Sequence, residues 1–264
     1  MIKGLNAQRF RPFTCVSNVG LLFVLKPAEI RYAHMRLTDL ILLLVIPFLS
    51  TPNSIEKSRP QETWTKEELR AANTAGDAKY LSAEEKDMVI YMNLARMDGE
   101  KFFNTYFQDY LEQHNKQMTK YSNYNELKIS KTDKYYRSLE EDLKKVKGMT
   151  ALWPDEAMTW VAKQHAKDMN KNNYATHNSL DGRTVKDRIG KMYPRKACGE
   201  NLAFGYSSGL ANICMLLLDR GVPDLGHRQI ILNDDYKFNF IGVSIQPHKG
   251  YKYCSVTDFV ALPR

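Results

Sequence analysis

The chain of 264 residues is long enough to form one well-packed domain or two small ones. Its 43% apolar and 26% charged residues are typical of a globular protein and exclude both a disordered chain and a bundle of membrane helices. The net charge of +8 does not favour nucleic-acid binding, because residues 1–50 supply half of it and the rest is spread without a dense basic patch.

A short apolar segment near the beginning of the sequence predicts export. Arg36 precedes an unbroken apolar run over 40–49, which is too short to span a bilayer and fits the centre of a secretory signal peptide. We therefore expect a signal peptide at 35–50, preceded by an upstream extension or mis-assigned start at 1–34. The mature chain would be secreted, periplasmic or at the cell surface, with no transmembrane span. The alternative to a signal peptide is that the apolar run at 40–49 is a buried hydrophobic segment of the folded protein.

Three cysteines remain after such a leader is removed: Cys198, Cys214 and Cys254. An exported chain with three cysteines can form one disulfide and leave one thiol. The sequence does not select the pair, and three buried thiols are the alternative.

The polar, proline-containing stretch 51–78 is predicted to be a linker, and the folded domain is expected over 79–264. Ser82 and Glu85 form a capping-box pattern ahead of a helix in "SAEEKDMVIYMNLARM". The charged, tyrosine-rich stretch 104–148 is predicted to be a helical insertion that packs on one side of the domain. A helix there places four apolar residues on one stripe: Tyr136, Leu139, Leu143 and Val146.

The second half of the chain predicts two more helices and a hairpin. "WPDEAMTWVAKQHAKDMNKNN" predicts a helix with Pro154 in its first turn, and a further helix runs from about Ser208 to Arg220. Two strands joined by a turn are predicted at "FNFIGVSIQ", where Ile241, Val243 and Ile245 alternate, and at "YKYCSVTDFVAL". Helices followed by a small antiparallel sheet predict an α+β domain.

Two of the six histidines are candidates for a functional site. His177 in "ATHNSLDG" and His227 in "DLGHRQ" each lie in a predicted loop beside a glycine, where a scaffold can position functional side chains. The other four have simpler interpretations: His34 lies in the leader region, His114 in the insertion, His165 on an apolar helix face and His248 in a solvated hairpin turn.

Glu200 is the unusual acid of the sequence, because "CGENLAFGY" places it in a predicted tight turn among apolar residues. The surrounding glycines do not have the spacing of a phosphate-binding loop. Together with His177 and His227, Glu200 could complete a three-ligand zinc site, or it could orient one histidine from the second coordination shell.

Four blocks in order resemble the CAP superfamily of cysteine-rich secretory, antigen 5 and pathogenesis-related 1 proteins, also called SCP domains. They are "YMNLAR", "HNSLDGRTVKDRI", "GENLAFG" and "GHRQIILN", and the terminal "IGVSI … YCSVTDF" resembles the closing hairpin of that family. The resemblance covers about residues 80–260, apart from the insertion. It implies a bacterial-type secreted member with a three-layer α-β-α sandwich. It also implies a central cleft, lined by two histidines and two acids, that can hold a divalent metal such as zinc.

The resemblance transfers to four positions. Three residues match the family pattern directly: His177 is its first histidine, Glu200 is the acid of the G-E-N block, and His227 is its second histidine. The two histidines would be the metal ligands. Asp219 stands where the family often carries the acid of W-x-x-E. The stretch here is "LLLD", so Leu216 replaces the tryptophan and the acid is shorter.

The family resemblance favours a secreted binding module whose cleft receives a lipid or sterol, a cell-wall glycan or a protein. The alternative is a metal-dependent hydrolase in which a metal-activated water loses its proton to Glu200. The sequence offers neither a convincing third protein ligand nor a Ser or Cys nucleophile paired to a base. A third interpretation is that the histidines and acids only tie loops together through hydrogen bonds.

Overall fold

The computed structural model describes residues 15–17 and 64–263, so the predicted signal peptide at 35–50 lies outside the described residues. The helices are α1 (Lys66–Ala72), α2 (Ala83–Met97), α3 (Gly99–Phe102), α4 (Gln108–Met118), α5 (Tyr124–Leu127), α6 (Lys134–Leu143), α7 (Glu156–Asn172), α8 (Val185–Gly190), α9 (Gly209–Leu218) and α10 (Gly226–Leu232), with a π-helical turn at Phe103–Phe107 and a 3-10 turn at Asp234–Tyr236. The strands are β1 (Cys15–Ser17), β2 (Trp153–Pro154), β3 (Cys198–Phe204), β4 (Phe240–His248) and β5 (Lys252–Val260).

The strands form one mixed sheet in the order β1-β3-β5-β4-β2. The central strands β3, β5 and β4 are antiparallel, and β4 and β5 form the predicted hairpin. The short strands β1 and β2 join the two edges in parallel orientation.

Helices cover both faces of this sheet. Leu202 and Phe204 of β3 pack with Ala162, Ala166 and Met169 of α7 on one face. On the other face, core residues of α2, α9 and α10 pack against Ala203, Ile241, Val243 and Phe259. The structure is therefore an α+β fold with three α-β-α layers, which confirms the predicted fold class.

Helix α7 lies directly on strand β4. A Cβ atom at Gly242 would overlap the backbone of Met158 and Thr159, so only glycine permits this close approach. The helix begins two residues after Pro154, which lies in β2 and not in the first helical turn as predicted. Asp155 caps it by accepting a hydrogen bond from the amide of Met158 at 2.8 Å.

The capping box predicted for α2 is present. Ser82 accepts from the amide of Glu85, and Glu85 accepts from the amide of Ser82. The other carboxylate oxygen of Glu85 accepts a hydrogen bond from the amide of Ile245 at 2.9 Å. The same side chain thus starts the helix and binds it to the sheet.

Part of the stretch 51–78 is folded, which corrects its interpretation as a linker. Residues 64–78 contain α1, and Trp64 is buried in the main core, where its indole donates to the hydroxyl of Thr105 at 3.0 Å. A buried tryptophan and a capped helix hold this segment against the domain, whereas residues 51–63 lie outside the described part.

The stretch 104–148 is helical, as expected, and it shares the main hydrophobic core. Phe107 and Leu139 are fully buried there. Arg228 of α10 reaches the stretch as well, donating to Asp142 at 3.0 Å and to Ser138 at 3.1 Å.

No disulfide joins Cys198, Cys214 and Cys254 to one another, so none of the pairings that the sequence left open among these three is present. Each of them packs in a different hydrophobic cluster: Cys198 against Ile189 of α8, Cys254 against Ala166 of α7, and Cys214 in the main core on the other face of the sheet. A disulfide between any two of these three cysteines is therefore not the alternative observed.

Candidate functional site: two histidine–carboxylate pairs

Glu200 lies in the middle of strand β3, so its interpretation as a turn residue was wrong. All seven residues of β3 are buried, and the strand pairs along its length with β5. A strand covered by helices on both faces needs apolar residues on both, which removes the alternation that identifies a half-exposed strand. Glu200 is 0% exposed and forms part of the layer between the sheet and α7.

Two donors satisfy the buried carboxylate of Glu200. His177 Nδ1 lies 2.7 Å from Oε1, and Arg188 Nη2 lies 2.5 Å from Oε2. Burial by itself would raise the pKa of Glu200, but the hydrogen bond from His177 and the charge of Arg188 outweigh it and hold the pKa at about 2. The group is therefore a carboxylate at neutral pH.

Arg188 of α8 organises the loop that carries His177. Its Nη1 donates to the carbonyl of His177 at 2.7 Å and to the hydroxyl of Ser179 at 3.3 Å, while Nη2 holds Glu200. The sequence interpretation did not select Arg188, although it lies in the block "HNSLDGRTVKDRI". Its helical position there gave no sign that it would be buried beside an acid.

Asp219 and His227 form the second pair. Asp219 Oδ1 lies 2.7 Å from His227 Nδ1, and Oδ2 accepts from the amides of His227 at 3.0 Å and Arg228 at 3.2 Å. His227 lies in the first turn of α10 and not in a loop, so its acid partner also satisfies otherwise unpaired helix amides. Both side chains are fully buried.

Strand β3 contacts both pairs from adjacent residues. Glu200 binds His177, and the side chain of Asn201, which points to the opposite face, donates to the carbonyl of His227 at 3.1 Å. The four residues predicted from the family thus form two pairs, and β3 makes a hydrogen bond to one histidine of each pair. Among residues 64–263, no three His, Cys, Asp or Glu side chains converge into a cluster that could hold a metal.

His165 is a core histidine, as predicted from its helix face. Its Nε2 lies 3.0 Å from the carbonyl of Thr176 and 4.0 Å from Glu200 Oε1. Burial lowers the pKa of His165, and the nearby carboxylate of Glu200 opposes that shift without cancelling it. His165 therefore adds a neutral imidazole to the surroundings of the first pair.

The remaining histidines do not join the pairs. His248 was predicted to be solvated, but it is buried, with Nε2 2.9 Å from the carbonyl of Tyr174 and Nδ1 accepting from the amide of Gly250. His114 is buried beside the hydroxyl of Tyr110. His34 lies outside the described residues.

A third buried acid, Asp258, was also missed. It stands directly opposite Glu200 in the register of β3 and β5, and it is 0% exposed. Residues opposed in an antiparallel pair share a face, so both acids belong to the layer under α7. The sequence predicted a strand at "YKYCSVTDFVAL" without indicating this burial.

The described part of the chain contains no helix that is both long and apolar enough to cross a membrane.

A family model for CAP, the cysteine-rich secretory protein family, matches residues 89–259. Among curated proteins, the uncharacterized membrane protein YlbC of Bacillus subtilis is 33% identical over 97 residues, which cover 36% of this chain and 27% of that protein.

Two solved structures are similar to the chain. One is an extracellular protein containing an SCP domain from Bacillus anthracis, with 30% identity, a TM-score of 0.35 and coverage of 43% of this chain and 35% of that one. The other is an outer surface protein from Borrelia burgdorferi, with 24% identity, a TM-score of 0.38 and coverage of 51% and 97%. The chain spans about a third or less of the two Bacillus proteins.

Proposed function

Since the chain belongs to the cysteine-rich secretory protein (CAP) family, we propose that it is an exported binding module in which His177 and His227 hold a divalent metal. Glu200 and Asp219 are the positioning residues of this site, and zinc is one of the metals that imidazole ligands suit. The ligand received by the cleft belongs to one of the classes implied by the family resemblance: a lipid or sterol, a cell-wall glycan or a protein.

The observation that carries this proposal is the matched pairing of the two imidazoles. In both, Nδ1 lies 2.7 Å from a carboxylate oxygen of a fully buried acid. A hydrogen bond from Nδ1 fixes the ring and leaves Nε2 as the nitrogen that carries the lone pair in the neutral tautomer. Carboxylate–histidine–metal arrangements use this geometry.

The donor chemistry of the second pair fits a metal. His227 Nε2 is buried and has no hydrogen-bond partner in the described part of the chain, although buried polar atoms are normally satisfied. A metal ion would supply that partner. Two protein ligands leave the other positions of a tetrahedral ion to water or to a ligand oxygen, so the bound metal would act as an open Lewis-acid site.

The buried carboxylate of Glu200 argues against the hydrolase alternative. One of its oxygens accepts from His177 and the other from Arg188, and its pKa is held at about 2. A general base works best when its pKa is close to the working pH. Glu200 therefore holds a histidine in place and does not take a proton from water.

Export of the chain rests on the apolar run at 40–49 and on the family. Expression of the full chain in a secreting bacterial host, followed by N-terminal sequencing of the protein from the medium or periplasm, tests it. We expect a mature N-terminus shortly after residue 50. A chain that stays in the cytoplasm with its first 50 residues intact would contradict export.

Zinc uptake tests the metal site. We expect the full chain to bind about one zinc ion, and the double variant His177→Asn/His227→Asn to lose it. The amide of asparagine can donate in place of Nδ1–H, so this change keeps the bonds to Glu200 and Asp219 while it removes both Nε2 atoms.

The matched control is His114→Asn/His248→Asn, which changes two buried histidines outside the pairs. This control should bind zinc as the wild type does. Equal zinc uptake by the wild type and the His177/His227 variant would overturn the metal site. Circular dichroism of each variant shows that the fold is kept.

A further inference from the structure

The outer face of α7 carries a row of side chains that no described element covers. Trp160, Lys163, Gln164, Lys167 and Lys171 occupy positions i, i+3, i+4, i+7 and i+11, so they share the face of the helix that points away from the sheet. All of them are exposed except Lys163, which is half-buried. The row therefore combines one large aromatic ring with three cations.

Exposed apolar side chains collect on the same layer of the domain. Trp160 is 55% exposed, Leu180 63% and Met192 41%, and these are three of the six exposed large hydrophobic residues among those described. Trp160 and Met192 line one surface depression between α7 and α8, together with Lys191. Leu180 follows Ser179, which lines the same depression. Apolar groups gathered in this way at the surface indicate an interaction site.

Positive charge is concentrated in the same segment of the chain. Residues 160–196 contain nine Lys or Arg residues and three Asp or Glu residues, whereas residues 64–159 contain fifteen and seventeen. The sequence shows no dense basic run, because these cations are spaced along two helices and a loop. The packing of α8 against α7, through Val185 and Ile189 on Val161, brings the two helices onto one layer.

The three acids of this segment do not neutralise its lysines. Each acid is held by a neighbour instead: Asp168 by Tyr174 and Asn172, Asp181 by Arg183, and Asp187 by Thr184. Lys163, Lys167, Lys171 and Lys191 make no ion pair with any acid that the structure describes. Their charges are therefore available to a partner outside the chain.

We propose that this surface, formed by the outer face of α7 with Leu180, Lys191 and Met192, docks on a phospholipid membrane that carries anionic headgroups. The lysines would lie level with the headgroup phosphates, while Trp160, Leu180 and Met192 enter the boundary between headgroups and acyl chains. Tryptophan is enriched at this boundary in membrane proteins, because its ring is apolar and its N–H is polar.

A membrane fits this surface better than the other partners do. A soluble polyanion would match the charge, but it would leave three large apolar side chains in water. A second copy of the chain on the same surface would bring like charges together. An anionic bilayer offers both a negative surface and an apolar interior, and it needs no cavity. Neither His177 nor His227 belongs to this surface, so the inference does not rest on the proposed metal site.

Co-sedimentation of the full chain with vesicles tests the docking. We expect binding to vesicles of phosphatidylglycerol mixed with phosphatidylcholine, and binding at least about tenfold weaker to phosphatidylcholine alone. Raising sodium chloride from about 0.1 M to about 0.5 M should weaken the binding to anionic vesicles by about tenfold. Equal binding to both kinds of vesicle would overturn the proposal. The apolar run at 40–49 is present in every variant, so differences between variants identify the surface.

Two lysines test the electrostatic part. Lys167→Ala/Lys191→Ala should weaken binding to anionic vesicles by about twentyfold, at about fivefold for each lysine near such a surface. The matched control, Lys116→Ala/Lys131→Ala, removes two exposed lysines from the stretch 104–148 on the other layer and should change binding by less than about twofold. Equal losses in the two double variants would reduce the effect to net charge and overturn the proposal.

Trp160 tests the apolar part. Trp160→Ala should weaken vesicle binding by about tenfold, whereas Tyr121→Ala, which removes an exposed aromatic ring from the other layer, should leave it unchanged. Vesicles with brominated acyl chains should quench part of the tryptophan fluorescence of the wild type, and Trp160→Phe should remove that quenched part. Unchanged binding of Trp160→Ala, with the lysine effect retained, would indicate a surface for soluble polyanions and contradict docking on a membrane.

The variant His177→Asn/His227→Asn separates the two sites. It should bind anionic vesicles as the wild type does, even where it has lost zinc. Loss of vesicle binding in this variant, with the fold kept by circular dichroism, would place the lipid contact at the histidine pairs and contradict the inference.

Discussion

The Oδ1 atom of Asp219 lies 2.7 Å from Nδ1 of His227, although the acid is one methylene shorter than the glutamate that the family often carries in this region. The backbone conformation brings the two residues together. Asp219 has the left-handed conformation, with φ of 54°, at the end of α9, and α10 begins seven residues later. The first amides of α10 therefore meet the same carboxylate as the imidazole, and the pair is retained.

The hydrogen-bond partners predict the tautomers of four histidines. His177 and His227 should carry the proton on Nδ1, which donates to a carboxylate, whereas His165 and His248 should carry it on Nε2, which donates to a backbone carbonyl. Long-range proton–nitrogen NMR spectra of the metal-free chain at about pH 8 measure this directly. An Nε2–H tautomer at His177 or His227 would contradict the arrangement on which the metal site rests.

Asp219→Asn should weaken zinc binding by about 10–100-fold, the usual effect of removing an outer carboxylate partner of a metal-bound histidine. Asparagine tolerates the left-handed conformation, so the change removes charge without straining the turn. Equilibrium dialysis with metal analysis measures the loss. The exposed Asp224, changed to asparagine, is the control and should have no effect.

Glu200→Gln should destabilise the fold by about 3 kcal/mol at neutral pH, because it leaves the buried Arg188 without its carboxylate partner. The folded-state pKa of Glu200, about 2, lies below its ordinary value of 4.5. The stability due to the ionised group is therefore fully present above about pH 4.5 and is lost as the pH falls toward 2. The free energies of unfolding of the wild type and the variant should converge as the pH is lowered through this range.

Urea denaturation at several pH values measures that convergence. Glu141→Gln, a change of an exposed carboxyl on α6, should leave the free energy of unfolding nearly unchanged throughout. A constant difference between wild type and Glu200→Gln from neutral pH down to about pH 3 would show that the carboxylate is not held ionised by its partners.

Gly242→Ala should destabilise the domain strongly, by about 3 kcal/mol or more, because its new methyl group would overlap the backbone of Met158 and Thr159 and push α7 off the sheet. Gly190→Ala is the matched control, since a Cβ at Gly190 has no neighbour within 4 Å. Thermal unfolding monitored by circular dichroism should show a much lower melting temperature for the first variant only. Equal melting temperatures would mean that α7 and β4 are not in such close contact.

Cys214 and Cys254 should react as thiols only after unfolding. Burial raises the pKa of the Cys214 thiol well above its ordinary value and that of Cys254 to about 12, so little reactive thiolate forms in the folded chain. Iodoacetamide labelling followed by mass spectrometry should show no adduct on either residue in the native chain. After denaturation without reductant, both should be fully alkylated. A residue that stays unlabelled until reductant is added would reveal a disulfide.

The elements that the sequence predicted correctly carry a recognisable apolar pattern. Helices α2, α6 and α7 have apolar residues at helical spacing, and Ile241, Val243 and Ile245 alternate along β4. Strand β3 is buried on both faces and does not alternate, and the glycines beside Glu200 suggested a turn. The sequence selected Glu200 as a candidate site residue, which stays a prediction, but the wrong local structure was assigned to it.

The sequence by itself determined the family, the layered fold class and the four residues that form the two pairs, since these depend on local blocks and periodicity. The tertiary structure alone decided how they pair: β3 bonds to one histidine of each pair, Arg188 and His165 join the surroundings of Glu200, and Cys198, Cys214 and Cys254 pack in different clusters. Each of these contacts joins residues that are distant in sequence or lie on different elements. No local pattern encodes such contacts, because they depend on how the layers pack and on which polar groups burial forces to find a partner.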